Sequence, residues 1–298
     1  MARARAVKGG AVTIGGVAVT SAAKLWFPDD GITKGDIARF YDAVSARILP
    51  WLRDRPLTAE RCPDGMAGQC FYQKDFPLDR PPADVPRVTL RASSTGKDVH
   101  YLVGGTKRAL IAMVNLGCIA MHVMNARTAH LREPDWLAFD LDPTSGEFAD
   151  AARAGLALRR LLDEARLPSY PKTSGSRGLH VFVPLRAGQP GDRVAAYAVE
   201  VGDELARREP RLVTMAHAKS ERRGRVYADP FRNAYAQTIV APYSVRRRPG
   251  ATVSTPLAWD EVTPRLDPSR FTVRTFEKRA ARGDPWMDFK RHAVRLPS

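Results

Sequence analysis

The sequence predicts an α+β fold with mixed, partly antiparallel sheets and flanking helices. Two observations carry this. Two long amphipathic segments, "FADAARAGLALRRLLDEARL" (148–167) and "RVAAYAVEVGDELARREP" (193–210), read as helices. Around them lie short alternating strands, with hairpin-like neighbours at 224–248, rather than the regular strand–helix alternation of a doubly wound sheet.

In chain order, "GAVTIGGVAVT" (10–20) alternates and carries turn glycines, so it predicts short strands. "TKGDIARFYDAVSARILPWL" (33–52) predicts a helix capped by Thr33 with Asp36 three residues on. Ile37, Phe40, Tyr41, Val44 and Ile48 form its apolar face, and Pro50 lies near its end. Residues 53–108 read as loop-rich, with short strands such as "RVTLRA" (87–92). "ASSTGKD" (92–98) and "GGTK" (104–107) are turn signals. "GCIAMHVMNAR" (117–127) and "WLAFDLDP" (136–143) predict strands, the second stopped by Pro143. A Ser/Gly turn and a strand follow in "YPKTSGSRGLHVFVPL" (170–185), and "GRVYADPF" (224–231) and "QTIVAPYSVRRR" (237–248) predict two more strands. There is no internal repeat and no low-complexity linker.

The 298 residues suffice for one large domain or two intertwined modules. Apolar residues are 44% and charged residues 27%, the composition of a soluble globular chain. The longest apolar runs, such as "ALIAMV" (109–114), fall far short of a membrane span, so no membrane partner is expected. The basic start "MARARAVKGGAVTIGG" has no continuous apolar core, so no secretory signal is expected. Cys62, Cys70 and Cys118 are odd in number and lack CxxC spacing. They predict neither a disulfide framework nor a thiolate zinc site, and point to a reducing, intracellular compartment. The net charge is +15, with basic residues recurring at 2–8, 53–61, 207–225, 246–248 and 270–292. General solubility is one reading; a polyanion partner, most often nucleic acid, is the other.

Residues two apart on a strand point to one face, about 6.5 Å apart. Asp140 and Asp142 therefore project together from "WLAFDLDP". Two convergent carboxylates repel, so either one is protonated or a divalent cation lies between them. Asp-Pro also opens turns, and an isolated DxDP carries no more than that. Three further segments favour the cation. "KTSGSRGLH" (172–180) offers small residues whose backbone N–H groups could approach a phosphate, with Arg177 and His180 beside them. It is not a Walker loop. "YADPFRN" (227–233) supplies Asp229, a candidate third ligand. On a strand, Arg246 and Arg248 would share one face and suit a triphosphate, while Arg247 opposes them.

The ordered set "HVMNAR", "WLAFDLDP", "KTSGSRGLHVFVPL", "ADPFRN" and "TIVAPYSVRRR" resembles the polymerase domain of bacterial ATP-dependent ligase D, in the archaeo-eukaryotic primase superfamily. The similarity runs from about Ser21 to Phe289. It implies residues 1–298 as a single primase-polymerase catalytic domain of two intertwined α/β modules, one resembling an RNA-recognition fold. It also implies nucleotide addition to a DNA 3′ end at gaps or 3′ overhangs, with ribonucleotides preferred over deoxyribonucleotides and two Mn2+ or Mg2+ ions. Ku and a DNA ligase are the implied partners, and end joining or short-gap repair the setting, in the bacterial cytoplasm at the nucleoid.

By the same resemblance Asp140, Asp142 and Asp229 form the catalytic metal triad. His122 lies near the incoming nucleotide, and Ser174, Arg177 and His180 form the phosphate-binding loop. Arg246 and Arg248 are the basic pair. Lys24 grips the downstream 5′-phosphate, and Phe71 and Tyr72 stack on the bent template. Ser21 stands where many members carry Asn beside the phosphate site, and Gln237 where several carry Lys near the triphosphate. No KxDG ligase motif and no nuclease module is present, so sealing is expected from elsewhere. Two other functions would use parts of this pattern: a primase starting chains without a primer, and a non-catalytic module that bridges DNA ends.

Overall fold

The computed structural model describes residues 10–80, 82, 85–92 and 95–297. The basic cluster at 2–8 and part of the turn at 92–98 lie outside them. Strands β1 (Val12–Ile14) and β2 (Val17–Val19) form a hairpin, as do β3 (Leu25–Phe27) and β4 (Ile32–Thr33). Helix α1 (Lys34–Ala43) starts at Thr33, whose hydroxyl accepts from Asp36 N while the Asp36 carboxylate accepts from Thr33 N. The helix predicted over 33–52 is in fact two. The chain turns at Val44, and α2 (Ser45–Leu52) continues with Pro50 inside it.

Next come β5 (Pro56–Arg61), β6 (Phe71–Gln73), β7 (Arg87–Arg91), β8 (Asp98–Val103), α3 (Lys107–Asn115) and β9 (Cys118–Val123). The region expected to be loop-rich thus supplies most of a six-stranded sheet, ordered β15-β9-β5-β8-β7, with β15 (Ile239–Val240) from far along the chain and β6 also on β5. β5 hides in the sequence because it carries Glu60, a carboxylate buried by pairing with Arg247 at 2.7 Å.

The second half holds β10 (Trp136–Pro143), α4 (Phe148–Glu164), β11 (Tyr170–Thr173), β12 (Leu179–Pro184), α5 (Gly191–Arg208), β13 (Val213–Thr214), β14 (Val226–Asp229), β15 (Ile239–Val240) and α6 (Phe276–Ala280). Its five-stranded sheet is ordered β11-β12-β10-β14-β13, antiparallel except for the last pair. Strands β10, β11, β12 and β14 with α4 and α5 make a β-α-β-β-α-β unit, in the sheet order of an RNA-recognition fold.

The hairpin expected across 224–248 does not form, because β14 pairs with β10 and β15 with β9 in the other sheet. The cause is local. After Asp229 the chain meets Pro230, which has no N–H to donate. Asn233 then bonds both the N–H and the carbonyl of Ala138 at 2.8 Å, ending the ladder with a side chain.

Alternation along β10 divides the core. Leu137, Phe139 and Leu141 pack under α4 and α5, while Trp136 and Ala138 join the core of α1, α2, α3 and the six-stranded sheet. The face that carries Trp136 also carries Asp140 and Asp142, so both carboxylates look toward the other sheet.

The cysteines correct the expectation from their count. Cys62 and Cys70 are joined by a disulfide, and Cys118 is buried alone. Two tight turns, Gly65 N to Cys62 O and Gly68 N to Gly65 O, fold the segment back until the paired Cα atoms are 4.4 Å apart. The cysteines therefore no longer argue for a reducing compartment. Among the described residues no helix is long and apolar enough to cross a membrane.

Candidate active site

Asp140 lies mid-sheet, opposite His180 on β12 and Asp229 on β14. Asp142, two residues on, shares its face. The three aspartates line one cavity of about 560 Å3 together with Arg177, Arg246 and Arg248.

Arg232 bridges the carboxylates, with Nε 3.4 Å from Asp140 Oδ2 and Nη2 3.0 Å from Asp229 Oδ2. Asp229 also accepts from Phe231 N at 2.9 Å. Arg222 lies 3.8 Å from Asp142. Burial pushes the Asp140 carboxyl up, but His180, Arg232 and Lys172 outweigh it and hold it well below the usual range. Asp142 goes the other way, raised by burial and then by Asp140 itself. Arg222, Lys219 and Arg177 offset this only in part.

Three hard oxygen donors suit Mg2+ or Mn2+. No three of the described His, Cys, Asp or Glu side chains form a ready-made metal cage. Such an ion does not require one, because Mg2+ takes one or two carboxylates and completes its shell with waters and substrate phosphates. The donor set and the raised Asp142 carboxyl both fit a divalent ion.

Behind Asp140 runs a buried polar chain. His180 Nε2 lies 3.2 Å from Asp140 Oδ1, and Lys172 Nζ lies 2.9 Å from His180 Nδ1 and 2.6 Å from Ser254 Oγ. Burial, then Lys172, pushes His180 down to about 4, so its Nε2–H donates to Asp140 as a neutral imidazole at neutral pH. Lys172 is fully buried, and burial and Arg246 hold it well below an ordinary lysine.

The loop before His180 differs from its expected form. The N–H groups of Ser176 and Gly178 donate to Ser174 Oγ, each at 3.1 Å, instead of facing the cavity. Ser174 thus shapes the turn, and Arg177 supplies the charge. Arg246 and Arg248 lie on a turn rather than a strand, with Arg248 N bonded to Arg246 O. Both still reach the cavity, while Arg247 turns away to Glu60. Arg246 Nη1 donates to Ser174 O at 2.9 Å, tying turn to loop.

His122 comes from β9 of the other sheet. Its buried Nε2 has no partner, its ring meets Tyr72 edge-on at 5.4 Å, and burial followed by Arg246 holds it well below the usual imidazole range. Phe71 and Tyr72 are 42% and 59% exposed, which excludes plain core packing, and the Arg61 guanidinium lies over the Phe71 ring at 5.6 Å. Lys24 lies elsewhere. Its ammonium donates to Pro63 O at 2.9 Å and to Asp64 at 2.6 Å, on the disulfide-closed loop. Ser21, at φ 50°, accepts from Lys24 N and shapes that turn. Gln237 is exposed and outside the wall of the aspartate cavity.

Sequence reasoning assigned no role to Arg232, Arg222 or Lys172. Arg232 stands three residues after Asp229, a spacing that brings a short turn back on itself. The partners of Lys172 and Arg222 are tertiary and leave no local signal.

Residues 33–286 match the family model described as LigD, primase-polymerase domain. The multifunctional non-homologous end joining protein LigD of Pseudomonas aeruginosa is 31% identical over 281 residues, which is 92% of this chain and 33% of that protein. The bifunctional LigD of Bacillus subtilis is 32% identical over 283 residues, 92% of this chain and 44% of that protein. The chain thus spans a third to under half of these relatives. Among solved structures, the polymerase domain of Mycobacterium tuberculosis ligase D in complex with DNA superposes with a TM-score of 0.84 at 31% identity, covering 93% of this chain and 99% of that one. The match over most of its length shows that this chain belongs to the LigD primase-polymerase domain family.

Proposed function

We propose that the chain is a nucleotidyltransferase that extends a DNA 3′ end at gaps or broken ends, with ribonucleoside triphosphates preferred. The observation that carries this is one cavity walled by three aspartates from adjacent strands and by five arginines, of which Arg177, Arg246 and Arg248 make no ion pair with the aspartates. Such a site pairs cation ligands with triphosphate ligands, which phosphoryl transfer between a hydroxyl and a nucleotide requires.

Asp140, Asp142 and Asp229 would hold two Mg2+ or Mn2+ ions, which when bound would lower the pKa of the 3′-hydroxyl and neutralise charge on the transferred phosphoryl group. Arg246, Arg248 and Arg177 clamp the triphosphate through charge-assisted bonds. His180 holds Asp140 in orientation from behind through its Nε2–H. Phe71 and Tyr72 offer stacking faces to an unpaired template base, worth about 1–3 kcal/mol per base. Lys24 is the candidate ligand for a downstream 5′-phosphate. The relatives' names place them in non-homologous end joining. We extend that setting to this chain, with Ku and a DNA ligase as partners in the cytoplasm at the nucleoid.

The test is extension of a one-nucleotide gapped duplex, with ribo- against deoxyribonucleotides, in Mn2+ and in Mg2+, with and without the 5′-phosphate. Asp140→Ala and Asp142→Ala should each lower the rate about a thousandfold or more while DNA binding persists. Wild-type rates from either variant would overturn the assignment.

A further inference from the structure

Lys172 is fully buried, and its place in the sheet says what it does there. Lys172 on β11 is paired in register with His180 on β12, His180 with Asp140 on β10, and Asp140 with Asp229 on β14. Residues directly opposite on neighbouring strands stand on one face of a sheet. The four side chains therefore form one polar row across four strands, with the lysine at one end and two aspartates at the other.

Donors and acceptors along this row run in one direction. Ser254 Oγ donates to Thr173 O at 2.9 Å, so it accepts the 2.6 Å bond from Lys172 Nζ. Lys172 Nζ gives a second hydrogen to His180 Nδ1 at 2.9 Å. That leaves the ring proton on Nε2, 3.2 Å from Asp140 Oδ1. An amine and an ammonium both carry the hydrogens that these bonds use, so the direction does not depend on the charge of Lys172. Both ring nitrogens of His180 are held, and the ring is fixed against flipping. Asp140 is then held by one particular oxygen. Oδ1 takes the histidine bond, and Oδ2 is the oxygen that meets Arg232, at 3.4 Å.

We propose that Lys172 is a positioning residue: it fixes the His180 ring from behind and so turns Asp140 to present Oδ2 to a divalent cation. This rests on the reading of the aspartates as cation ligands. Partners that orient a metal ligand are worth about 10–100-fold in metal affinity or activity.

Lys172→Met keeps most of the length of the side chain and removes the donor. The full chain, isotopically labelled on its histidine nitrogens, is first read by nuclear magnetic resonance in EDTA. The His180 signals are those lost in His180→Gln. Wild type should carry the proton on Nε2 and show a hydrogen-bonded Nδ1, and Lys172→Met should move the Nδ1 resonance downfield, toward a free acceptor. Mn2+ binding, followed by the paramagnetic resonance of the free ion, should weaken about tenfold in the variant, with affinity for a gapped duplex unchanged. In gap extension at saturating Mn2+, kcat should fall about tenfold while the KM for nucleotide stays within about twofold, a split that general loosening of the fold would not give. If Lys172→Met does not fold, Ser254→Ala, which takes one acceptor from the amine, is carried through the same measurements, and shifts of the same sign are expected. An unmoved Nδ1 resonance, or Mn2+ affinity equal to wild type, in the folded variant overturns the proposal. Wild type that binds no Mn2+ gives a different pattern: it removes the cation site itself, and the proposal with it.

Discussion

Arg232 supplies Asp140 and Asp229 with the positive charge that a bound cation would also supply. It neutralises Asp140 and Asp229, and its guanidinium must yield if an ion takes that place. Arg232→Gln should therefore lower stability in EDTA. Because the side chain is more than a third exposed, solvent screening limits the loss to roughly 1 kcal/mol. Saturating Mn2+ should raise the melting temperature more in the variant than in wild type. Equal shifts in the two proteins would show that the guanidinium and the ion do not share a place. Lys24 carries a different expectation. Its ammonium already holds Asp64, so a phosphate must compete with a carboxylate for it. Lys24→Ala should weaken binding to a 5′-phosphorylated gap about tenfold and to the unphosphorylated gap much less. Equal loss on both substrates would reduce Lys24 to a general backbone contact.

The aspartates are only as well placed as β10, and β10 is positioned by what touches Leu141 between them. A Cβ at Gly178 would lie 2.8 Å from the Leu141 carbonyl oxygen, a backbone atom that cannot swing aside. Gly178→Ala should displace the strand at the point from which both carboxylates project. Extension activity should fall by at least tenfold, since small misplacements of reacting groups are expensive. The destabilisation should be about 1–3 kcal/mol, the usual cost of overpacking. A variant with wild-type activity would mean that the loop, not β10, moves. This element was legible in the sequence because its apolar alternation and its two aspartates share one local period. β5 was not, because its buried Glu60 is matched by Arg247, 187 residues away. For the same reason the Lys172–His180–Asp140 chain was only half visible: His180 announced itself on a strand, while Lys172 bonds Ser254 from a segment 82 residues away. The basic pair was read on the right residues for the wrong cause. A turn, not a strand, brings Arg246 and Arg248 to the cavity.

At the scale of the whole molecule two sheets turn their polar faces toward one another. His122 and Tyr72 look out from the six-stranded sheet and Asp140 and His180 from the five-stranded one. His122 feels Arg246, Lys172, Arg232 and His180, which places both faces within one electrostatic field. The chain as a whole carries a net charge of +15. Few of its many Arg–carboxylate pairs are buried, so most cations remain free to exchange partners with a phosphate backbone. Binding to DNA should therefore be dominated by release of condensed counterions, with the logarithm of affinity falling linearly with the logarithm of salt. If six or more phosphates are neutralised, affinity for a gapped duplex should drop by about a thousandfold or more between 50 and 200 mM salt. Asp140→Ala should leave that slope unchanged, because it alters the chemistry and not the count of phosphate contacts. Titrating both proteins against a labelled gapped duplex at four salt concentrations checks this. A shallow slope in wild type would show that the basic surface serves solubility, and a slope altered by Asp140→Ala would show that the aspartate cavity itself contributes to the electrostatic footprint on DNA.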